Sequence, residues 1–138
     1  MKTMRIYFLM AVVVLSSCSK RDDPAPTTAG MLSQNTWVLA TLSSTDPDFQ
    51  TTGQVLIGSE WSFKSDKSFS LYVNYSGLNM TFTGTWSMSS DNKKVNVTSN
   101  ISGSPAASEM EIVSISASAL QLKESDSGMV NTYTFTKK

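Results

Sequence analysis

Between Asn79 and Met88 the chain alternates without a break: Met80, Phe82, Gly84, Trp86 and Met88 fall on one side, and Thr81, Thr83, Thr85 and Ser87 on the other. A period of two with large apolar groups on one face predicts a β-strand with one buried side. Gly84, inside the apolar row, predicts a bend or a close approach of another backbone. The same alternation recurs elsewhere. Trp37, Leu39 and Thr41 alternate with Val38, Ala40 and Leu42. Trp61 and Phe63 alternate with Ser62 and Lys64, and Phe69, Leu71 and Val73 with Ser70, Tyr72 and Asn74. Further on, Val95 and Val97, Leu120 and Leu122, and Met129, Tyr133 and Phe135 each share a face with polar residues between them. From Met110 to Ile115 the apolar parity switches at Ile112-Val113, which predicts a β-bulge or a strand buried on both faces.

These segments predict an all-β domain over residues 31–138, an antiparallel up-and-down meander of about eight strands. Short polar joints such as Ser65-Asp66-Lys67-Ser68, Ser89-Ser90-Asp91-Asn92 and Ser125-Asp126-Ser127-Gly128 are hairpin chemistry. A meander of that length closes into a small barrel, which removes its exposed edges, or folds into a two-sheet β-sandwich; alternation alone does not separate the two. No flanking helix is expected. Residues 43–59 make a longer connection whose Phe49, Val55, Leu56 and Ile57 suit a lid, and residues 99–108, with Gly103 and Pro105, read as a second long loop.

Composition narrows the chemistry. The 138 residues include 24 Ser and 15 Thr, 11 basic and 11 acidic side chains, one Cys and no His. Without imidazole there is no Ser-His-Asp triad and no Cys-His pair, and a single thiol builds neither an internal disulfide nor a thiolate zinc site. A net charge of zero speaks against nucleic-acid binding. An enzyme is not expected, and neither a metal nor another cofactor.

The first residues carry an address. Lys2 and Arg5 precede an apolar run from Ile6 to Leu15, too short to cross roughly 30 Å of hydrocarbon comfortably, and Ser16 and Ser17 lead to Cys18. Residues 1–17 thus read as a signal peptide. Leu15-Ser16-Ser17-Cys18 resembles the lipobox of bacterial lipoproteins, which implies lipidation of Cys18 and a membrane anchor made of its acyl chains. Residues 18–30 then comprise the lipidated Cys and a flexible tether without large apolar groups. The acidic pair Asp22-Asp23 resembles the surface-export signal of Bacteroidetes lipoproteins. The expected location is the cell envelope, as an outer-membrane lipoprotein that is surface-exposed or periplasmic.

Trp37 in the first strand, Trp61 and Phe63 in the second, the turn Ser65-Asp66-Lys67-Ser68-Phe69, Gly84-Thr85-Trp86 and the terminal Tyr133-Thr134-Phe135 together resemble the small lipocalin-like lipoproteins of Bacteroidetes. The similarity spans residues 31–138 and implies a small lipocalin-like β-barrel with an open mouth.

Alternation proposes an inward-facing set of Trp37, Leu39, Phe63, Phe69, Leu71, Phe82, Trp86, Leu120, Leu122, Tyr133 and Phe135. Eight-stranded barrels are either filled by such groups or hold one small ligand. If hollow, the barrel would carry a small apolar or amphipathic molecule, with Phe63, Phe69, Leu71, Phe82, Trp86, Tyr133 and Phe135 as the candidate interior contacts. If filled, the domain would instead be a surface module binding a protein or glycan through its loops or outer face. Glu109 and Glu111 share one strand face as an acid pair would, and Asp46 and Asp48 offer oxygen ligands, but solvated and loop positions account for both pairs.

Overall fold

The computed structural model describes residues 24–101 and 104–138; the expected signal peptide, Cys18 and the start of the tether lie outside them. Eight antiparallel strands close into a single barrel in chain order: β1 (Thr36–Ser44), β2 (Glu60–Phe63), β3 (Ser68–Tyr75), β4 (Leu78–Met88), β5 (Lys94–Ile101), β6 (Ser104–Ile115), β7 (Ala119–Asp126) and β8 (Met129–Lys137). β1 pairs with β8, which closes the sheet on itself. The expected small barrel is therefore the observed fold, and the β-sandwich alternative falls away. Two of the hairpins turn on Ser76-Gly77 and Ser127-Gly128. All four residues have positive φ, the handedness that matches the twist of the flanking strands.

Gly84 answers a steric demand. A Cβ there would collide with the Thr98 carbonyl oxygen and come 2.8 Å from the Ser99 Cα on the neighbouring β5. The expected irregularity in β6 is a bulge. Its register with β7 shifts between Ile112 and Ser114, leaving Val113 exposed.

Four departures from the sequence reading have local causes. In β1 a second bulge, between Leu39 and Thr41, reverses the parity, so Leu42 turns inward and Thr41 outward. Residues 99–108 form no long loop: β5 and β6 stay paired from Lys94↔Glu111 out to Ile101↔Ser104. Serine, alanine and proline hide that ladder from a pattern search. β7 pairs with β6 only from Met110 onward, so Pro105 stands on a flank where no ladder bond is demanded of it. A short helix, α1 (Thr28–Ser33), precedes β1 where no flanking helix was expected, and it takes in three residues assigned to the tether. It is too short to show a period. Thr27 caps it by accepting from the Gly30 amide at 3.0 Å, and its Leu32 is fully buried. Finally, residues 43–59 contain a second helix, α2 (Pro47–Thr52), and a 3-10 turn (Gly53–Leu56).

The two ends of the barrel differ. At the end where β1 begins, α1 plugs the opening, and the indole Nε1 of Trp37 donates to the Leu32 carbonyl at 3.0 Å. Phe63 packs against Phe69 (ring centroids 5.2 Å apart) and edge-on against Trp86 (5.7 Å). Trp86 Nε1 donates to the Lys64 carbonyl at 2.8 Å, and the Lys67 ammonium sits 4.2 Å over its ring. With Leu39, Val95, Leu120 and Phe135 also buried, this end is solid.

The other end is a mouth. β2 has only four residues and reaches no further than Glu60, opposite Val38 and Tyr72. Beyond that point β1 and β3 have no strand between them. The segment carrying α2 and the 3-10 turn lies over the notch, with Phe49 and Leu56 packed against the core.

Candidate functional site

Above the packed end lies an apolar cavity of about 350 Å³. Its floor is aromatic: Trp61 meets Phe69 at 5.8 Å, Tyr133 at 5.7 Å and Phe135 at 5.1 Å between ring centroids. The indole Nε1 of Trp61 is used up by the buried Ser59 hydroxyl at 2.9 Å, so the ring presents only its apolar body. Leu71 and Val73 of β3 and Met80 and Phe82 of β4 form one wall. Val97 and Ser99 of β5, Ser108 and Met110 of β6, and Glu124 and Tyr133 form the rest. Val55 and Leu56 of the 3-10 turn roof it.

The space exists because of what the strands lack. Among the wall positions of β5 and β6, Ser99 and Ser108 stand beside Val97 and Met110, and Ser99 lies opposite Gly84 of β4. The two small side chains leave room that no neighbour fills, and the volume falls within the range of small-molecule sites.

Of the seven interior contacts expected from alternation, the structure brings Phe69, Leu71, Phe82 and Tyr133 together on the cavity wall. Phe63, Trp86 and Phe135 are interior too, but Phe63 and Trp86 belong to the solid end and Phe135 lies beneath Trp61. All eleven proposed inward residues do face inward, Phe82 being half-buried and the other ten buried. The inward set drawn from alternation leaves out Trp61, Val97, Met110 and Glu124, all of which line the cavity. For Glu124 the signal was present: it continues the inward row of Leu120 and Leu122, and a carboxylate in an apolar row needs a reason.

Glu124 is the polar focus of the cavity. Its Oε2 accepts from the Tyr133 hydroxyl at 2.9 Å and from Asn131 Nδ2 at 3.4 Å. Burial, reinforced by the adjacent carboxylate, pushes the Tyr133 hydroxyl far above its usual pKa, so it stays a neutral donor. On the outer side of Glu124 a smaller recess of about 140 Å³ is lined by Asp46, Phe49, Asp126, Met129 and Asn131. The other carboxylates considered have structural or solvated places. Asp46 caps α2, accepting from the Asp48 amide at 3.0 Å, and Glu109 and Glu111 are exposed on the outer face of β6, where Glu109 pairs with Lys94.

Solved structures share this architecture. A lipocalin-like protein from Bacteroides uniformis superposes with a TM-score of 0.57 at 19% identity, covering 79% of this chain and 100% of that one. The fold is lipocalin-like. Bovine odorant binding protein in complex with undecanal gives 0.51 at 20% identity, covering 78% of this chain and 73% of that one. The same bovine protein with a selenium-containing odorant gives 0.52 at 20% identity, over 78% and 75% of the two chains. No protein-family model matches the sequence, and no curated protein matches it.

Proposed function

We propose that this chain is a membrane-anchored lipoprotein whose lipocalin-like barrel carries one small apolar or amphipathic molecule, and that it is a binding protein rather than an enzyme. The observation that carries the reading is the apolar cavity of about 350 Å³ between the aromatic floor at Trp61 and the roof of Val55 and Leu56. A filled barrel would leave no such space. Among the described residues, the exposed large apolar groups Val55, Ile57, Tyr75, Leu78, Met80 and Met129 gather round the mouth, where a ligand enters, and only Val113 stands away from it. Bovine odorant binding protein, of the same architecture, is a complex with undecanal, which lends the reading a chemical scale.

Anchoring rests on the sequence: a signal layout ending in Leu15-Ser16-Ser17-Cys18 supports lipidation of Cys18 and a place in the cell envelope, on the outer membrane. Native mass spectrometry of residues 19–138, after exposure to an extract of the source cell's envelope, tests the carrier. A reproducible added mass that Phe82→Trp or Tyr133→Trp displaces is the expected result. A bare polypeptide mass under every condition overturns it. For the anchor, Cys18→Ala moves the protein from the membrane to the soluble fraction; a variant that still sediments with membranes overturns that part.

A further inference from the structure

Glu124 is the one charged residue among those lining the cavity, and no Lys or Arg reaches the cavity or the outer recess among the described residues. It lines both spaces, and so stands where an apolar interior meets the mouth. Its carboxylate is only half used. Oε2 takes the Tyr133 hydroxyl and the Asn131 amide, while Oε1 accepts no hydrogen bond from the described residues. An ionised carboxylate is an acceptor with room for about four donors, and two of the places here are filled. The only two ion pairs among the described residues, Lys94 with Glu109 and Lys138 with Glu60, are elsewhere. In the recess just outside, Asp46 and Asp126 add charge of the same sign.

From this we infer that Glu124 selects the head group of the cargo: the cavity takes an amphiphile whose alkyl or aryl body lies on Trp61, Phe69 and Phe82 and whose ammonium group donates to the Glu124 carboxylate. The inference rests on the carrier reading. A carboxylate-headed lipid of the same body meets an uncompensated negative charge in surroundings of low dielectric and is excluded, because a site discriminates as much by what it repels as by what it holds. Tyr133 and Asn131 are positioning residues here; their two hydrogen bonds hold one oxygen of Glu124 and leave the other for the ligand.

Isothermal titration of residues 19–138, which contain the whole closed barrel with α1 and the mouth segment, with decylamine, decanol and decanoate at neutral pH separates body from head group. The wild-type protein is expected to bind decylamine at least about tenfold more tightly than decanoate, with decanol between them. In Glu124→Gln the ratio of amine to carboxylate falls to within about twofold, while decanol binds as before and so reports an intact cavity. Decanoate binding as tightly as decylamine in the wild type overturns the inference without any variant. So does a tenfold preference that survives in Glu124→Gln. If decanol and both charged probes all fail to bind, the carrier reading itself falls and the head-group assignment with it; decanol binding without head-group preference removes the assignment alone.

Discussion

Truncating Phe63 and Phe82 to alanine separates the solid half of the barrel from the hollow half. Phe63 is 1% exposed and wedged between Phe69 and Trp86, and Trp86 is held by its own hydrogen bond to the Lys64 carbonyl. The neighbours therefore cannot collapse into the void, and Phe63→Ala should cost about 3–5 kcal/mol. For a domain of this size that lowers Tm by roughly 12–20 °C. Phe82 is half-buried and already borders empty space, so its ring has partners on one side only. Half the transfer free energy of a fully buried phenylalanine is about 0.8–1.5 kcal/mol, with little added for a cavity that exists beforehand. Urea titration followed by tryptophan fluorescence and by circular dichroism reads both costs, and an unchanged slope confirms that the denatured state is the same. Equal costs at the two sites would refute the division of the barrel. A small loss at Phe63 would refute the rigidity of the closed end. Ligand affinity, measured on folded protein, should change in Phe82→Ala and not in Phe63→Ala.

Three more outcomes follow from the same contacts. Gly84→Ala forces a Cβ into the Thr98 carbonyl, so β4 and β5 must separate; a loss of more than about 2 kcal/mol in thermal unfolding is expected, and a variant within about 0.5 kcal/mol of wild type would contradict the close approach. Tyr133 keeps its proton in the folded protein to higher pH than its ordinary value of 10.0. Its stabilisation is therefore complete below that pH and is lost as the unfolded chain begins to ionise above it, and Tyr133→Phe should flatten the alkaline fall in the urea midpoint. Asp66 and Asp91 are held below the usual carboxylate range, chiefly by the hydroxyls of Ser68 and Ser89 and then by the backbone amides of Ser68 and Lys93. Depressed carboxylates stabilise above their unfolded pKa and stop doing so as pH falls through the folded one, so the double change Asp66→Asn with Asp91→Asn should make the acid limb of the Tm profile shallower.

How much of this was legible in the chain depends on where each signal sits. The row from Met80 to Met88 could be read because both faces of β4 are chemically distinct along most of its length, and Gly84 because glycine in an apolar row is conspicuous. The parity switch at Ile112-Val113 was visible for the same reason. In β1 the bulge was not, since Ala40, Thr41 and Leu42 fit either phase and only pairing with β8 decides between them. The outer hairpin of β5 and β6 was missed because serine and alanine carry little apolar contrast, yet those same small residues make the cavity. A hollow is written as the absence of bulk at neighbouring sites. Such sites become neighbours only through strand register, so Ser99 beside Gly84 means nothing until the ladder is known.

The mouth segment is moored on one side. Its hydrogen bonds to the barrel among the described residues run to β1, β2 and β8: Gln50 Nε2 and Gln54 Nε2 both donate to the Leu42 carbonyl at 3.5 Å, the Ser44 amide donates to Gln50 at 2.6 Å, Gly58 and Ser59 bond Leu39, the Ser59 hydroxyl accepts from Trp61, and Thr45 bonds Val130. Towards β3 and β4 it presents the side chains of Val55 and Leu56, across the cavity from Tyr75 and Met80. Among the described residues no hydrogen bond crosses the seam on that side. It can part as a door does from its jamb, while the hinge along β1 stays intact. The residence time of a bound molecule would then be set by how much of its own surface must be wetted on the way out, and a longer alkyl chain would leave more slowly through the same door.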